Sequence, residues 1–109
     1  MANAYKVLGQ SAPGAAADTD VYTVPAATEA VISTIVFANR GASAGTFRLA
    51  FRPDGAAIAN EHYVAYDVAI AANDSTTLTL GVTLNAADVV TVQCSSADMS
   101  VNVFGTEIS

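Results

Sequence analysis

The feature that most constrains this chain is an alternation of period two, in which apolar residues exchange places with small or polar ones along short runs broken by turn residues every 8 to 14 positions. A strand with one wet face needs that period, whereas a helix needs 3.6. Eight such runs can be marked, at residues 5–9, 21–24, 29–39, 46–52, 62–70, 75–81, 89–94 and 99–104. In 46–52, Phe47, Leu49 and Phe51 point one way, and Thr46, Arg48, Ala50 and Arg52 the other. In 29–39, Val31, Ser33, Ile35 and Phe37 oppose Ile32, Thr34, Val36 and Ala38, so both faces are largely apolar and the strand should be central or covered on its second side. Gly41 and Gly45, between these two runs, predict a β-hairpin. The run 62–70 sets His62, Val64, Tyr66, Val68 and Ile70 against Tyr63, Ala65, Asp67 and Ala69. β-branched residues crowd these runs, as a pleated, half-buried surface favours.

Between the runs, Ala56, Ala57 and Ala59 allow at most one helical turn within 55–61, which is too short to be stable alone. Pro13 and Gly14 make 11–19 a loop or extended connector. Three corners repeat one scheme: Val24-Pro-Ala-Ala-Thr-Glu29, Ile70-Ala-Ala-Asn-Asp74 and Leu84-Asn-Ala-Ala-Asp88 each run from an apolar strand end through small residues to an acid. Their unequal spacing makes them a repeated turn and not a solenoid unit. The pattern as a whole predicts an all-β fold: one domain over 1–109, a single antiparallel β-sandwich of about eight strands, jelly-roll or immunoglobulin-like, with 1–13 an N-terminal arm or edge strand.

Charge narrows the partners. With 10 acids against 4 bases and a net charge of −6, the chain lacks the basic footprint that phosphate backbones or anionic membranes require, so neither nucleic acid nor membrane is expected as a partner. No run approaches ~18 consecutive apolar residues, and the N-terminus, Met1 to Lys6, lacks the basic head and apolar run of a signal peptide. Ala2 in place of glycine excludes N-myristoylation. A lone Cys94 cannot form an intramolecular disulfide and reads as a small buried hydrophobe of a chain folded in a reducing cytoplasm.

Chemistry-bearing motifs are scarce. His62 has no Cys, His or paired acid at a ligand spacing, and it reads as a strand-end residue near solvent. No G-x-S-x-G elbow places a base beside a nucleophile. Asp18 and Asp20 lie two apart on a loop, far from an EF-hand pattern. Gly41 to Gly45 lacks the Lys-Ser/Thr of a phosphate cradle, and the sequon at Asn73 matters only in a secreted chain. No catalytic residue, cofactor or metal is therefore expected.

Two residues stand out by rarity. Arg48 and Arg52 share one wet strand face, where cross-strand or intersubunit pairing with acids would suit them, and Asp67 is a plausible partner type. Only 13% of residues are charged, against about a quarter in an ordinary domain, so the surface must be built from Ala, Thr, Ser and Asn. Such a surface loses little side-chain entropy on burial and desolvates cheaply. It predicts a component of an assembly, with faces such as Tyr63, Ala65 and Ala69 available for burial. Tyr63 is also the best exposed-ring candidate should the sandwich carry a sugar platform.

The segments Tyr5-Lys6-Val7-Leu8-Gly9-Gln10-Ser11-Ala12-Pro13, Tyr22-Thr23-Val24-Pro25, Val31-Ile32-Ser33-Thr34-Ile35, Asn39-Arg40-Gly41, Phe47-Arg48, Arg52-Pro53, His62-Tyr63, Ala65-Tyr66-Asp67, Ala72-Asn73-Asp74 and Thr77-Leu78-Thr79-Leu80-Gly81, in that order, resemble small virion proteins of tailed bacteriophages. The resemblance spans nearly the whole chain and implies a non-enzymatic β-sandwich subunit, made in the host cytoplasm and built into the virion. It implies major capsid protein or other virion proteins as partners, and a homo-oligomer, most naturally a trimer. A capsid decoration or cement protein is the first expectation, with Tyr5 and Lys6 in an N-terminal arm that could add to a neighbour's sheet edge. A neck, tail or baseplate accessory subunit is the alternative, and a carbohydrate-binding host-attachment module the second.

Overall fold

The computed structural model describes residues 2–109; Met1, the first residue of the expected arm, lies outside them. The eight runs become eight strands: β1 (Asn3–Ser11), β2 (Thr19–Thr23), β3 (Glu29–Asn39), β4 (Gly45–Arg52), β5 (Tyr63–Ile70), β6 (Ser75–Leu84), β7 (Val89–Cys94) and β8 (Met99–Ile108). They form two four-stranded antiparallel sheets, ordered β1-β8-β3-β6 and β2-β7-β4-β5. First pairs with last throughout, β1 with β8, β2 with β7, β3 with β6 and β4 with β5. Wrapping that long ribbon around itself adds β3 beside β8 and β4 beside β7. Of the two expected topologies this is the jelly roll.

Segment 1–13 accordingly takes the edge-strand alternative: β1 runs along β8, and at their far end Ala2 and Ser109 exchange backbone hydrogen bonds of 2.6 and 2.9 Å. β1 is paired along one side with β8, and its other side is a sheet edge.

The predicted hairpin at 39–45 does not form. β3 and β4 lie in different sheets, and the segment between them is a corner that crosses the sandwich. Asn39 explains the crossing. Its buried side-chain amide donates to the carbonyls of Ser43 (2.9 Å), Ala71 (3.3 Å) and Ile70 (3.4 Å), and its oxygen accepts from the Gly41 N–H at 3.0 Å. One side chain thus ties this corner to the β5–β6 corner. The apolar second face of β3 has the same origin, because the strand sits between β8 and β6 in mid-sheet. Its alternation is not continuous, however. A bulge at Ser33 shifts the phase, so Ile32 and Ile35 both point into the core, and Val31 does not share a face with Ile35.

Among the described residues, the only neighbouring consecutive strands are β4 and β5, joined by residues 53–62. Ala56, Ala57 and Ala59 do not build the helical turn allowed for 55–61; they lie between two short 3-10 turns, Pro53–Gly55 and Asn60–His62. Pro53 preorganises the first, and Arg52 holds the linker by donating to the carbonyls of Gly55 (3.2 Å) and Ala56 (2.9 Å). The recurrent corners do share a conformation. Ala27, Asn73 and Ala87, each three residues after the apolar strand end, all have positive φ, at 55°, 55° and 71°. Alanine is strained there, so Ala87→Gly is expected to raise the unfolding free energy by roughly 0.5 kcal/mol once glycine's greater unfolded-state freedom is deducted. Urea denaturation measures this, and a loss of stability would contradict it.

The core lies between the sheets. Ile32, Ile35 and Phe37 of β3 and Val101 and Val103 of β8 meet Phe47 and Leu49 of β4 and Val90, Val92 and Cys94 of β7. The Phe37 and Phe47 rings stack across the interface, 3.9 Å between centroids and 18° from parallel.

Candidate functional site

The expected site residues fall into three clusters. At the rim where β1 lies over β2, Lys6 pairs with Glu107 at 2.6 Å, and the Tyr22 hydroxyl donates to the same carboxylate at 2.6 Å, linking the two sheets. Tyr5 stands clear of this cluster and is 81% exposed. The Lys6 ammonium, and then the Tyr22 hydroxyl, hold the Glu107 carboxyl below its usual range. Burial and then the Glu107 carboxylate push the Tyr22 phenol well up.

On the outer face of the other sheet, Arg52 donates through Nε to the Thr91 hydroxyl (2.9 Å) and through Nη2 to Asp20 (2.8 Å), while Thr91 donates to Asp20 at 2.9 Å. Asp18 accepts from Gln93 at 2.9 Å. The two aspartates thus act on separate partners within their own sheet. Arg40 donates to the carbonyls of Ala97 and Met99. All four basic side chains are therefore engaged inside the molecule, each by an acid or a carbonyl.

The third cluster carries the most geometry. Arg48 on β4 donates to both oxygens of Asp67 on β5, at 2.7 and 3.3 Å, realising the acid pairing open to it from its strand face. The same guanidinium lies 4.0 Å from the centre of the Tyr66 ring, and Tyr66 meets Tyr63 edge-to-face at 4.9 Å and 88°. The hydrogen-bonded guanidinium draws the Asp67 carboxyl below its usual range, and the carboxylate raises Arg48 further. Continuous alternation along 62–70 would place Tyr63 and Tyr66 on opposite faces. Two bulges in β5 overturn that expectation: Phe47 pairs Val68 but Leu49 pairs Ala65, and Ala50 then pairs Tyr63. Asp67 takes φ of 52° to make the first bulge, a conformation that costs a non-glycine residue about 1 kcal/mol and turns both Tyr66 and Asp67 toward Arg48.

Tyr66, and Asn60, which lines a surface depression together with the two tyrosines, are the members that sequence reasoning missed. The available signal was Tyr63-x-x-Tyr66, a spacing that brings rings together in a strand only through a bulge. His62 proves to be a turn residue. Its Nδ1 accepts the Ala59 N–H at 3.1 Å, locking the Asn60–His62 turn that sets Asn60 beside the tyrosines. Burial pushes the Cys94 thiol up to about 11, which keeps it protonated and unreactive at neutral pH.

These titrations give stability two limbs. Glu107 and Asp67 are stronger acids folded than unfolded, so the unfolded chain takes up protons first as pH falls. Their contribution is complete above the ordinary carboxylate range of about pH 4 and is lost as pH drops through the lowered folded values. Cys94 and Tyr22 are weaker acids folded, so their contribution is complete below 9.0 and 10.0 and is lost as pH rises through the raised folded values. The melting temperature is expected to be flat from about pH 5 to 8 and to fall on either side. Cys94→Val should soften the alkaline limb alone; an unchanged limb in that variant contradicts the assignment.

Exposed apolar residues lie at both rims, Val64 (56% exposed), Tyr66 and Leu80 on β5 and β6, and Tyr5 and Val7 on β1. No family model, curated protein or solved structure matches the chain.

Proposed function

We propose that this chain is a non-enzymatic structural subunit of a tailed-phage virion, a decoration protein that binds the major capsid protein and cements the head. The observation that carries the reading is β6. Four strands form the sheet edges, and β1, β2 and β5 each bear a charged residue, Lys6, Asp20 and Asp67. β6, ten residues long, bears neither charge nor proline, and its one interruption is a bulge at Gly81, where φ is 61°. Natural edges are usually blunted by such residues, so a long uncharged edge suits addition of a partner's strand. The self-engaged bases and the resemblance of the chain to small virion proteins support the same reading. Jelly rolls serve capsid and lectin domains alike, so the fold is compatible with the role without selecting it.

The test is co-sedimentation of the purified protein with heads lacking it, followed by imaging and a thermal DNA-release assay. Saturable head binding, in trimers, with a raised release temperature is expected. Leu80→Lys, at an exposed position, should weaken binding at least about tenfold while leaving the fold intact. Binding confined to necks, tails or baseplates would replace the cement role with the accessory one. Absence of particle binding would overturn both.

A further inference from the structure

We infer that the corner formed by Asn60, Tyr63 and Tyr66 is a binding site for a neutral sugar ring. These three residues line an open surface depression of about 370 Å³ on the outer face of the β4–β5 pair. That is at the small end of the range for ligand sites and suits a single ring. The two tyrosine rings stand at 88° to one another, so they offer one flat wall and one perpendicular to it. A pyranose presents an apolar C–H face and a hydroxylated edge, and it can stack on the first wall while its edge meets the second.

The arrangement is held in place without a ligand. Arg48 lies over Tyr66, the bidentate Asp67 pair fixes Arg48, and the strained bulge at Asp67 sets both. On the other side, the His62 bond to the Ala59 N–H fixes the turn bearing Asn60. Backbone strain of this kind persists where the surroundings over-determine it, and here it orients a ring. Within the molecule, the polar bonds of this region run from Arg48 to Asp67 and from Ala59 to His62, leaving the Asn60 amide and the two tyrosine hydroxyls to a ligand's hydroxyl groups.

Charge selects the ligand class. Arg48, the nearby cation, is neutralised by Asp67, and the molecule carries a net −6, so sialylated, sulfated or phosphorylated ligands are disfavoured. A wholly apolar ligand would leave three polar groups unpaired. A neutral hexose satisfies both conditions.

The experiment titrates the intact protein with soluble gluco-, manno- and galacto-oligosaccharides, with sulfated dextran as the charged probe, and follows amide and aromatic NMR shifts. Saturable shifts at Asn60, Tyr63 and Tyr66 are expected with at least one neutral series and none with the sulfated one. Tyr66→Ala and Asn60→Ala should each weaken binding, the first by about tenfold, as for loss of one stacked ring. Tyr66→Phe, which keeps the stacked ring and loses one hydroxyl contact, should weaken binding less than Tyr66→Ala, and Tyr5→Ala, on the opposite rim, should leave it unchanged. Unmoved resonances with every neutral series, or equal binding by Tyr66→Ala and Asn60→Ala, would overturn the assignment. Core methyl shifts report that each variant is folded. Head binding is a separate readout, so the sugar site and the cement role can fail independently.

Discussion

Phe37→Ala is expected to lower the unfolding free energy by about 3–5 kcal/mol, the range for emptying a buried aromatic position. Phe37 is wholly buried and stacks on Phe47, so the substitution removes a ring from each sheet's grip on the other. The neighbours Ile35, Val101 and Met99 belong to strands whose register is set by hydrogen bonds on both sides, which limits collapse into the space. A domain of this size has about 5–15 kcal/mol of stability in all, so the variant should be partly unfolded under mild denaturant. Phe37→Leu, which keeps most of the volume, should lose markedly less. Urea unfolding at pH 7 measures both, and a loss below about 1 kcal/mol in Phe37→Ala would show that the sheets are held together elsewhere.

Gly105→Val is expected to be as damaging for the opposite reason. Gly105 lies on β8 between β1 and β3, and a Cβ there would press into the carbonyl oxygen of Val31, with Leu8 Cδ1 at 3.0 Å and Ile32 Cα at 3.1 Å. The obstruction is backbone in a central strand pair, so relief requires β3 and β8 to separate just where Ser33 already bulges. A loss of more than about 3 kcal/mol, or failure to accumulate as soluble protein, is expected. Gly14→Ala is the control. Its added Cβ meets nothing, and its stability should stay within about 0.5 kcal/mol of the parent. Equal behaviour of the two variants would be incompatible with the β8–β3 packing described above.

The candidate site was legible in proportion to how local its cause is. Arg48 and Asp67 could be paired on residue type and strand face, because opposite charges on one wet sheet surface find one another across a register. Tyr66 could not be joined to Tyr63, because an uninterrupted alternation puts them back to back. The bulge that reverses this is a property of the β4–β5 pairing, and the Tyr63-x-x-Tyr66 spacing permits it without requiring it. Likewise, His62 was visible as a lone imidazole, but its bond to the Ala59 N–H depends on the turn that tertiary packing selects over the helical propensity of Ala56 and Ala57.

By itself the sequence determined the all-β class, the positions of the eight strands and the inward face of β4, since side-chain direction in an uninterrupted strand has period two; in β3 and β5 bulges reset that period. Chain pairing was decided only by the tertiary structure. The segment after Asn39 carries hairpin glycines yet crosses to the other sheet, because β3 gains two neighbours, β8 and β6, and Asn39 bonds both within its own corner and to Ile70 and Ala71, more than thirty residues away. Pairing first strand with last is a long-range choice, driven by how much apolar surface the wrapped ribbon buries. Local propensity does not encode such a choice.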